Sequence, residues 1–335
     1  MILVTGGTGL VGAHLLYKLV SAGEKVYALR RKTSLIDKTK HIFSYYTDDY
    51  ELVFNKVHWI EGNILDYESL LSAFEGIEYV HHCAASVSFR SADKNTLIKT
   101  NIEGTANIVN AALESGIKKL LHVSSIGTLG RAGNNGIVTE ETAWNSKKTS
   151  VYSTSKYYAE LEIWRGIAEG LNAVIVNPSI ILGPADWNSG SARLFKTMHD
   201  GLRFYTSGIN GFVDVQDVVN IMAMLMDSET SGEKFILNSE NISYERLFNQ
   251  MAGFLKVNPP KYEATRLMSE IAWRILWIKG LLTGKKSAIT KETSETARQA
   301  YKYSNKKIVS LTGYDFMKIE DSLMKNSAFF LKDFG

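Results

Sequence analysis

Tyr152 and Lys156 lie four residues apart in Tyr152-Ser-Thr-Ser-Lys156. On a helix that spacing puts both side chains on one face. A phenol is a poor acid or base at neutral pH, with an ordinary pKa of about 10. A cation beside it favours the phenolate and draws that value down. The pair therefore describes a tunable proton donor. Alone it would read as a solvent-facing pair, but Ser125 precedes it, just after the apolar run Lys119-Leu-Leu-His-Val-Ser124. A hydroxyl there can hydrogen-bond the substrate oxygen that the tyrosine protonates. At the head of the chain stands Thr5-Gly-Gly-Thr-Gly-Leu-Val-Gly12. Its glycines let a backbone turn approach a pyrophosphate at a helix N-terminus, where free N–H groups and the helix dipole favour negative charge. In this order the elements describe a nicotinamide-dependent site, with Ser125, Tyr152 and Lys156 as its catalytic residues.

The glycine turn has the flanks such a turn needs. Met1-Ile-Leu-Val-Thr5 reads as a buried parallel strand, and Ala13 to Val20 continues at helical spacing to Gly23. Further strands are expected at Lys25–Arg30, Val57–Glu61, Glu78–Cys83, Lys119–Ser124 and Asn172–Asn177. Helices alternate with them, a long one from Asp93 to Ser115 closed by Gly116 and another from Ser153 to Glu169 ended by Gly170. The connection 33–56 is long enough to hold an extra helix. After Pro184 the alternation breaks down. The expected fold is α/β: a Rossmann-type doubly wound parallel sheet with a smaller, mostly helical C-terminal lobe. Residues 1–184 form the dinucleotide-binding domain and 185–335 the substrate lobe. Its short strands near 211–215 and 233–238 are open to pairing with, or extending, the first sheet. Asp217 is expected to cap the helix that follows it.

The chain has 335 residues, 45% of them hydrophobic, and a net charge of +3. That is enough for a large core and lacks the basic excess of a nucleic-acid binder. The single cysteine, Cys83, excludes an intrachain disulfide and suits a reducing, cytoplasmic setting. With a first strand read from residue 1, no signal peptide is expected. The stretch Ile271-Ala-Trp-Arg-Ile-Leu-Trp-Ile-Lys-Gly-Leu-Leu282 is too short to span a bilayer. It is read as a helix near 269–284 packed in the C-terminal lobe, with an interfacial helix or a lid over the substrate pocket as alternatives. No metal is expected.

The ordered motifs Thr5–Gly12, Gly62-Asn-Ile-Leu-Asp66, His82-Cys-Ala-Ala85, Asn101-Ile-Glu-Gly-Thr-Ala-Asn107, Val123-Ser-Ser125, Tyr152-x-x-x-Lys156 and Asn177-Pro-Ser-Ile-Ile-Leu-Gly-Pro184 resemble an extended short-chain dehydrogenase/reductase of the NAD-dependent epimerase/dehydratase superfamily. The stretches 156–164 and 177–184 look like its dihydroflavonol-reductase and 3β-hydroxysteroid-dehydrogenase branch. The resemblance implies that Gly6, Thr8, Gly9, Leu10, Val11 and Gly12 form the cofactor turn and that Asn63 and Ile64 contact adenine. This chain has Asn63 where the family usually has Asp. Ala84, Ala85 and Ser86 would line the phosphates and ribose. Asn101 would support that side, Val123 and Ser124 would lie beside the cofactor, and Pro178 and Ser179 would touch the nicotinamide. Tyr152 and Lys156 belong to both sets, and Ser125, Tyr152 and Lys156 map onto the family's triad without substitution. Members often pair two helices across a two-fold axis, so a homodimer is expected.

Enzymes that prefer NAD place an acid at the end of the second strand to hold the ribose 2′-OH. This chain has Arg30-Arg31-Lys32 there. Arginines bind a 2′-phosphate that an acid would repel, so NADP(H) is expected over NAD(H). The leading reading is an NADP-dependent oxidoreductase that reduces a ketone or aldehyde of a small, largely apolar substrate. The alternatives are a nucleotide-sugar epimerase or dehydratase with a tightly held NAD(P), and a non-catalytic NADP-binding regulator. The segment Ile209-Asn-Gly-Phe-Val-Asp-Val-Gln-Asp217 weakens the sugar-nucleotide reading, because it lacks the Arg that such members carry.

Overall fold

The computed structural model describes residues 1–88, 91–131, 136–145, 149–265, 268 and 297–334. The helix expected near 269–284 lies outside the described residues. The first half alternates β1 (Ile2–Thr5), α1 (Leu10–Ser21), β2 (Val26–Arg30), α2 (Asp37–Phe43), α3 (Tyr50–Phe54), β3 (His58–Glu61), α4 (Tyr67–Phe74) and β4 (Tyr79–His82). It continues through α5 (Lys94–Leu97), a π-helical stretch Ile98–Glu103, α6 (Gly104–Glu114), β5 (Lys119–Val123), β6 (Ile137–Val138), α7 (Val151–Ala168) and β7 (Ala173–Pro178). Then follow β8 (Ile180–Leu182), α8 (Arg193–His199), β9 (Phe204–Tyr205), β10 (Ile209–Asp214), α9 (Val215–Asp227), β11 (Glu233–Leu237), β12 (Glu240–Ser243) and α10 (Tyr244–Leu255). A last long helix spans Ile319–Phe334.

Seven parallel strands form the main sheet in the order β11-β7-β5-β4-β1-β2-β3. The order reverses between β1 and β4, the crevice where open α/β sheets bind ligands. Successive side chains point to opposite faces, and both faces are covered. In β1, Ile2 and Val4 join the core under α1 and α9, while Leu3 joins the one under α4, α6 and α7. In β7, Val174 and Val176 take the first side, Ala173 and Ile175 the second. A smaller sheet, β12-β10-β8, lies beside a third core built from Trp187, Phe195, Met198, Phe212, Met251 and Phe330. The strand expected near 233–238 is β11, which pairs with β7 as the edge of the main sheet.

Two expectations need correction. The helix expected from Asp93 to Ser115 is not continuous α-helix, because the π-helical stretch Ile98–Glu103 interrupts it. Asp217 is not the cap of α9. β10 runs as far as Asp214, whose carboxylate accepts from the Gln216 backbone N–H at 2.8 Å and caps the helix instead. Asp217 sits in the first turn, accepting from the Tyr314 hydroxyl (2.9 Å) and the Met317 N–H (3.1 Å). Burial pushes its pKa up to about 6. Among the described residues, no helix is long and apolar enough to cross a membrane.

Candidate active site

The turn after β1 is shaped by close approach. Gly6 has φ +72°, and a Cβ there would lie 2.6 Å from the Ala84 nitrogen. A Cβ on Gly12 would lie 2.2 Å from the Gly6 carbonyl oxygen. Thr8, Gly9, Leu10 and Val11 complete the turn. Gly9 occupies the N-cap of α1 and supplies no side chain to cap it, so the helix begins with open N–H groups. Thr39, buried in α2, donates to the Gly7 carbonyl at 3.0 Å and braces the turn from behind. Such a turn fits a dinucleotide pyrophosphate.

At the far side of the crevice, β5 delivers Ser125. Its hydroxyl oxygen accepts from the Gly127 N–H at 3.1 Å. Ser150 caps α7 by accepting from the Ser153 N–H at 2.7 Å, and this sets Tyr152 in the first turn. The Tyr152 phenol lies beside the Ser125 side chain. Burial pushes the phenol pKa up, and Ser125 opposes that rise. Lys156, 1% exposed, donates to the Val123 carbonyl at 2.8 Å and lies 3.4 Å from His122 Nε2. Burial pushes its pKa down to about 8, against the charge of Glu160. The sequence suggested that Lys156 lowers the tyrosine pKa. In the structure the phenol is displaced upward by burial, with Ser125 opposing, and Lys156 is not among the groups that shift it.

Ala84, Ala85 and Ser86 follow β4 beside the glycine turn, and the Ala84 N–H donates to Thr5 Oγ1 at 3.2 Å. Asn101, within the π-helical stretch, accepts from the Ser86 N–H (2.7 Å) and donates to the Ser86 carbonyl (3.0 Å) and to Ser155 Oγ (2.9 Å). It thus ties the Ala84–Ser86 segment to α7. Arg30 ends β2, and its Nε is buried without a hydrogen-bond partner; Arg31 is exposed. Asn63 and Ile64 follow β3. The Asn63 side chain accepts from the Leu65 N–H at 3.1 Å, so its carbonyl oxygen serves its own turn. Ile64 is buried against Gly104. Pro178 ends β7, and the buried Ser179 hydroxyl has no hydrogen-bond partner.

Motif reasoning passed over the group behind the serine. Glu160, one turn beyond Lys156 on α7, is 3% exposed. Its Oε2 accepts from Ser124 Oγ (2.6 Å), Thr128 Oγ1 (2.7 Å) and Asn177 Nδ2 (2.9 Å). The signal was present as a carboxylate continuing the Tyr152–Lys156 spacing by a further four residues.

Residues 2–238 match the model of the NAD dependent epimerase/dehydratase family. The chain is similar to sterol demethylase protein B of Methylococcus capsulatus, with 30% identity over 273 residues, 81% of this chain and 79% of the relative. It is similar to dihydroflavonol 4-reductase of Zea mays, with 25% identity over 281 residues, 78% and 75% of the two chains. The crystal structure of gox2253 superposes with a TM-score of 0.82 and 28% identity, over 99% of this chain and 98% of that one. The chain belongs to the NAD dependent epimerase/dehydratase family.

Proposed function

We propose that this chain is an NADP-dependent reductase of a ketone or aldehyde on a small, largely apolar substrate. The observation that carries the reading is the Tyr152 phenol beside the Ser125 side chain, one helical turn before the buried Lys156. The name of the dihydroflavonol 4-reductase relative supports carbonyl reduction. The orphaned Arg30 Nε beside the exposed Arg31, at the end of β2, supports a ribose 2′-phosphate.

The open N-terminus of α1 would hold the pyrophosphate, with Arg30 and Arg31 at the 2′-phosphate and Asn63 and Ile64 at the adenine. Ala84, Ala85, Ser86, Val123, Ser124, Pro178 and Ser179 would line the rest, with Asn101 fixing the Ser86 segment. NADPH, when bound, supplies the hydride. Tyr152 donates its proton to the carbonyl oxygen, and its raised pKa keeps that proton in hand at neutral pH. Ser125 orients and polarises the same oxygen. Lys156 places a positive charge behind the phenolate that forms. A homodimer through α7 and the Ile98–Glu103 stretch belongs to the same reading. Tyr158 and Leu161 are 47% and 40% exposed, and Ile98, Ile102 and Tyr158 line a cavity of about 300 Å³.

The test is a screen of aromatic aldehydes and alicyclic ketones with NADPH, followed at the reduced-nicotinamide absorbance. NADPH should be consumed one for one with alcohol formed. Tyr152→Phe should bind NADPH normally and lose ~10²–10⁴-fold in kcat. A fully active Tyr152→Phe protein, or product formed with no net change in NADPH, overturns the reading.

A further inference from the structure

The carboxylate of Glu160 joins three segments of the candidate site. Ser124 follows β5 beside Ser125, Thr128 lies in the short turn after it, and Asn177 lies in β7 before Pro178 and Ser179. All three donate to Glu160 Oε2, at 2.6, 2.7 and 2.9 Å. Asn177 Nδ2 also donates to the Ser125 carbonyl (3.1 Å), and Thr128 Oγ1 lies 2.9 Å from the same carbonyl, its single proton shared between that oxygen and Glu160. The backbone of Ser125 is therefore held from two sides by groups that Glu160 gathers. A buried carboxylate is strongly disfavoured unless such donors surround it. Here they are drawn from the loops that carry the chemistry, while Glu160 itself rides on the helix of Tyr152 and Lys156.

We propose that Glu160 is a positioning residue that locks Ser125 against Tyr152 and keeps Lys156 charged. The proposal rests on the Ser125–Tyr152–Lys156 reading. The charged and titratable groups facing this pair can be named. Lys234 of β11 lies 3.5 Å from Glu160 Oε1, with Trp164 Nε1 also at 3.5 Å. Glu140 lines the same cavity as Glu160 and Lys234. Around Lys156 stand His122 of β5, His82 of β4 and Cys83 just after it. Among these only Glu160 and Cys83 raise the Lys156 pKa, and Glu160 does so more. Removing its charge while keeping its shape should make Lys156 release its proton at lower pH.

The experiment compares wild type, Glu160→Gln, Thr128→Val and Tyr152→Phe. NADPH affinity and thermal melting confirm folding. Lysine ¹³Cε NMR, with the Lys156 signal assigned through Lys156→Met, follows the titration. In Glu160→Gln the Lys156 titration should move down by about half a unit or more. On the carbonyl compound turned over best, kcat should fall by ~10–10²-fold with KM little changed, as small misplacements cost that much. Thr128→Val retains the charge, so the titration should stay in place while kcat falls less. A Lys156 titration unmoved in folded Glu160→Gln overturns the proposal. If Glu160→Gln does not fold, an unchanged kcat in Thr128→Val overturns it. Loss of activity in Tyr152→Phe together with normal Glu160→Gln refutes only the role of Glu160. A fully active Tyr152→Phe refutes the reading beneath it.

Discussion

On the proposed mechanism, two groups with opposite displacements set the pH response. The Tyr152 phenol is raised from its ordinary value, whereas burial brings Lys156 down to about 8. In the reductive direction the phenol must keep its proton and the lysine its charge. Lys156 is thus the first to fail as pH rises. The kcat for reduction should be level near pH 7 and fall through about 8, before the tyrosine ionises. A pH–rate profile checks this, and a limb only above 10 would assign it to the phenol. The proposed preference for NADPH belongs to the same scale. Arg30 Nε is buried without a partner and Arg31 is free to turn toward a phosphate, so NADPH should bind more tightly than NADH. An Arg30→Asp/Arg31→Ala double change should narrow or reverse the gap in calorimetry. The Gly turn, the Tyr-Lys spacing and the basic pair were legible in the sequence because each is a local pattern. Glu160 was not, because its meaning lies in donors from β5, the turn at Thr128 and β7, which only the fold brings together.

The elements that position these residues were legible in part. Buried strands show as apolar runs bounded by glycines, and their alternation with α1 and α7 points to the doubly wound parallel class, while the strand order is seen only in the fold. The π-helical stretch around Asn101 leaves no such trace, because one extra residue per turn barely alters the apolar pattern. The start of α9 was also hidden. Asp214 and Asp217 are both cap-type residues, and only the length of β10 selects the first. That choice has an energetic consequence. Asp214 Oδ1 accepts from the Gln216 N–H, and Oδ2 accepts from Ser322 Oγ (2.5 Å) and Asn326 Nδ2 (3.2 Å) of the C-terminal helix. Asp214→Ala would leave buried donors unpaired and should cost about 2–4 kcal/mol. Denaturant unfolding measures the loss. Hydrogen exchange should show residues 319–334 losing protection before β1 and β5. A loss below about 1 kcal/mol would mean that the helix is held by its apolar face alone.

The whole molecule carries a further charge constraint in its interior. His14, His81, His82 and His122 are each fully buried. Burial holds His14 at about 4 and His81 and His82 at about 3, and pushes His122 well below its usual range. In the unfolded chain each would titrate near 6.5, so below that pH the unfolded state binds protons that the folded state refuses. Stability is therefore intact above about 6.5 and is lost as pH falls toward the folded values. At pH 5.5 each of His14, His81 and His82 contributes a loss of ~1.4 kcal/mol. These three lose about 4 kcal/mol together and His122 adds to it, a large share of the ~5–15 kcal/mol of a typical domain. The denaturant midpoint should drop sharply between pH 7.5 and 5.5. His81 offers the cleanest probe, since neither of its ring nitrogens has a hydrogen-bond partner and burial alone displaces its pKa. His81→Leu should remove about a quarter of the acid slope and leave stability at pH 7.5 equal or higher, because two orphaned nitrogens go with the ring. Unfolding curves of both proteins at the two pH values decide the matter. An unchanged slope in His81→Leu would place the acid sensitivity in the carboxylates instead.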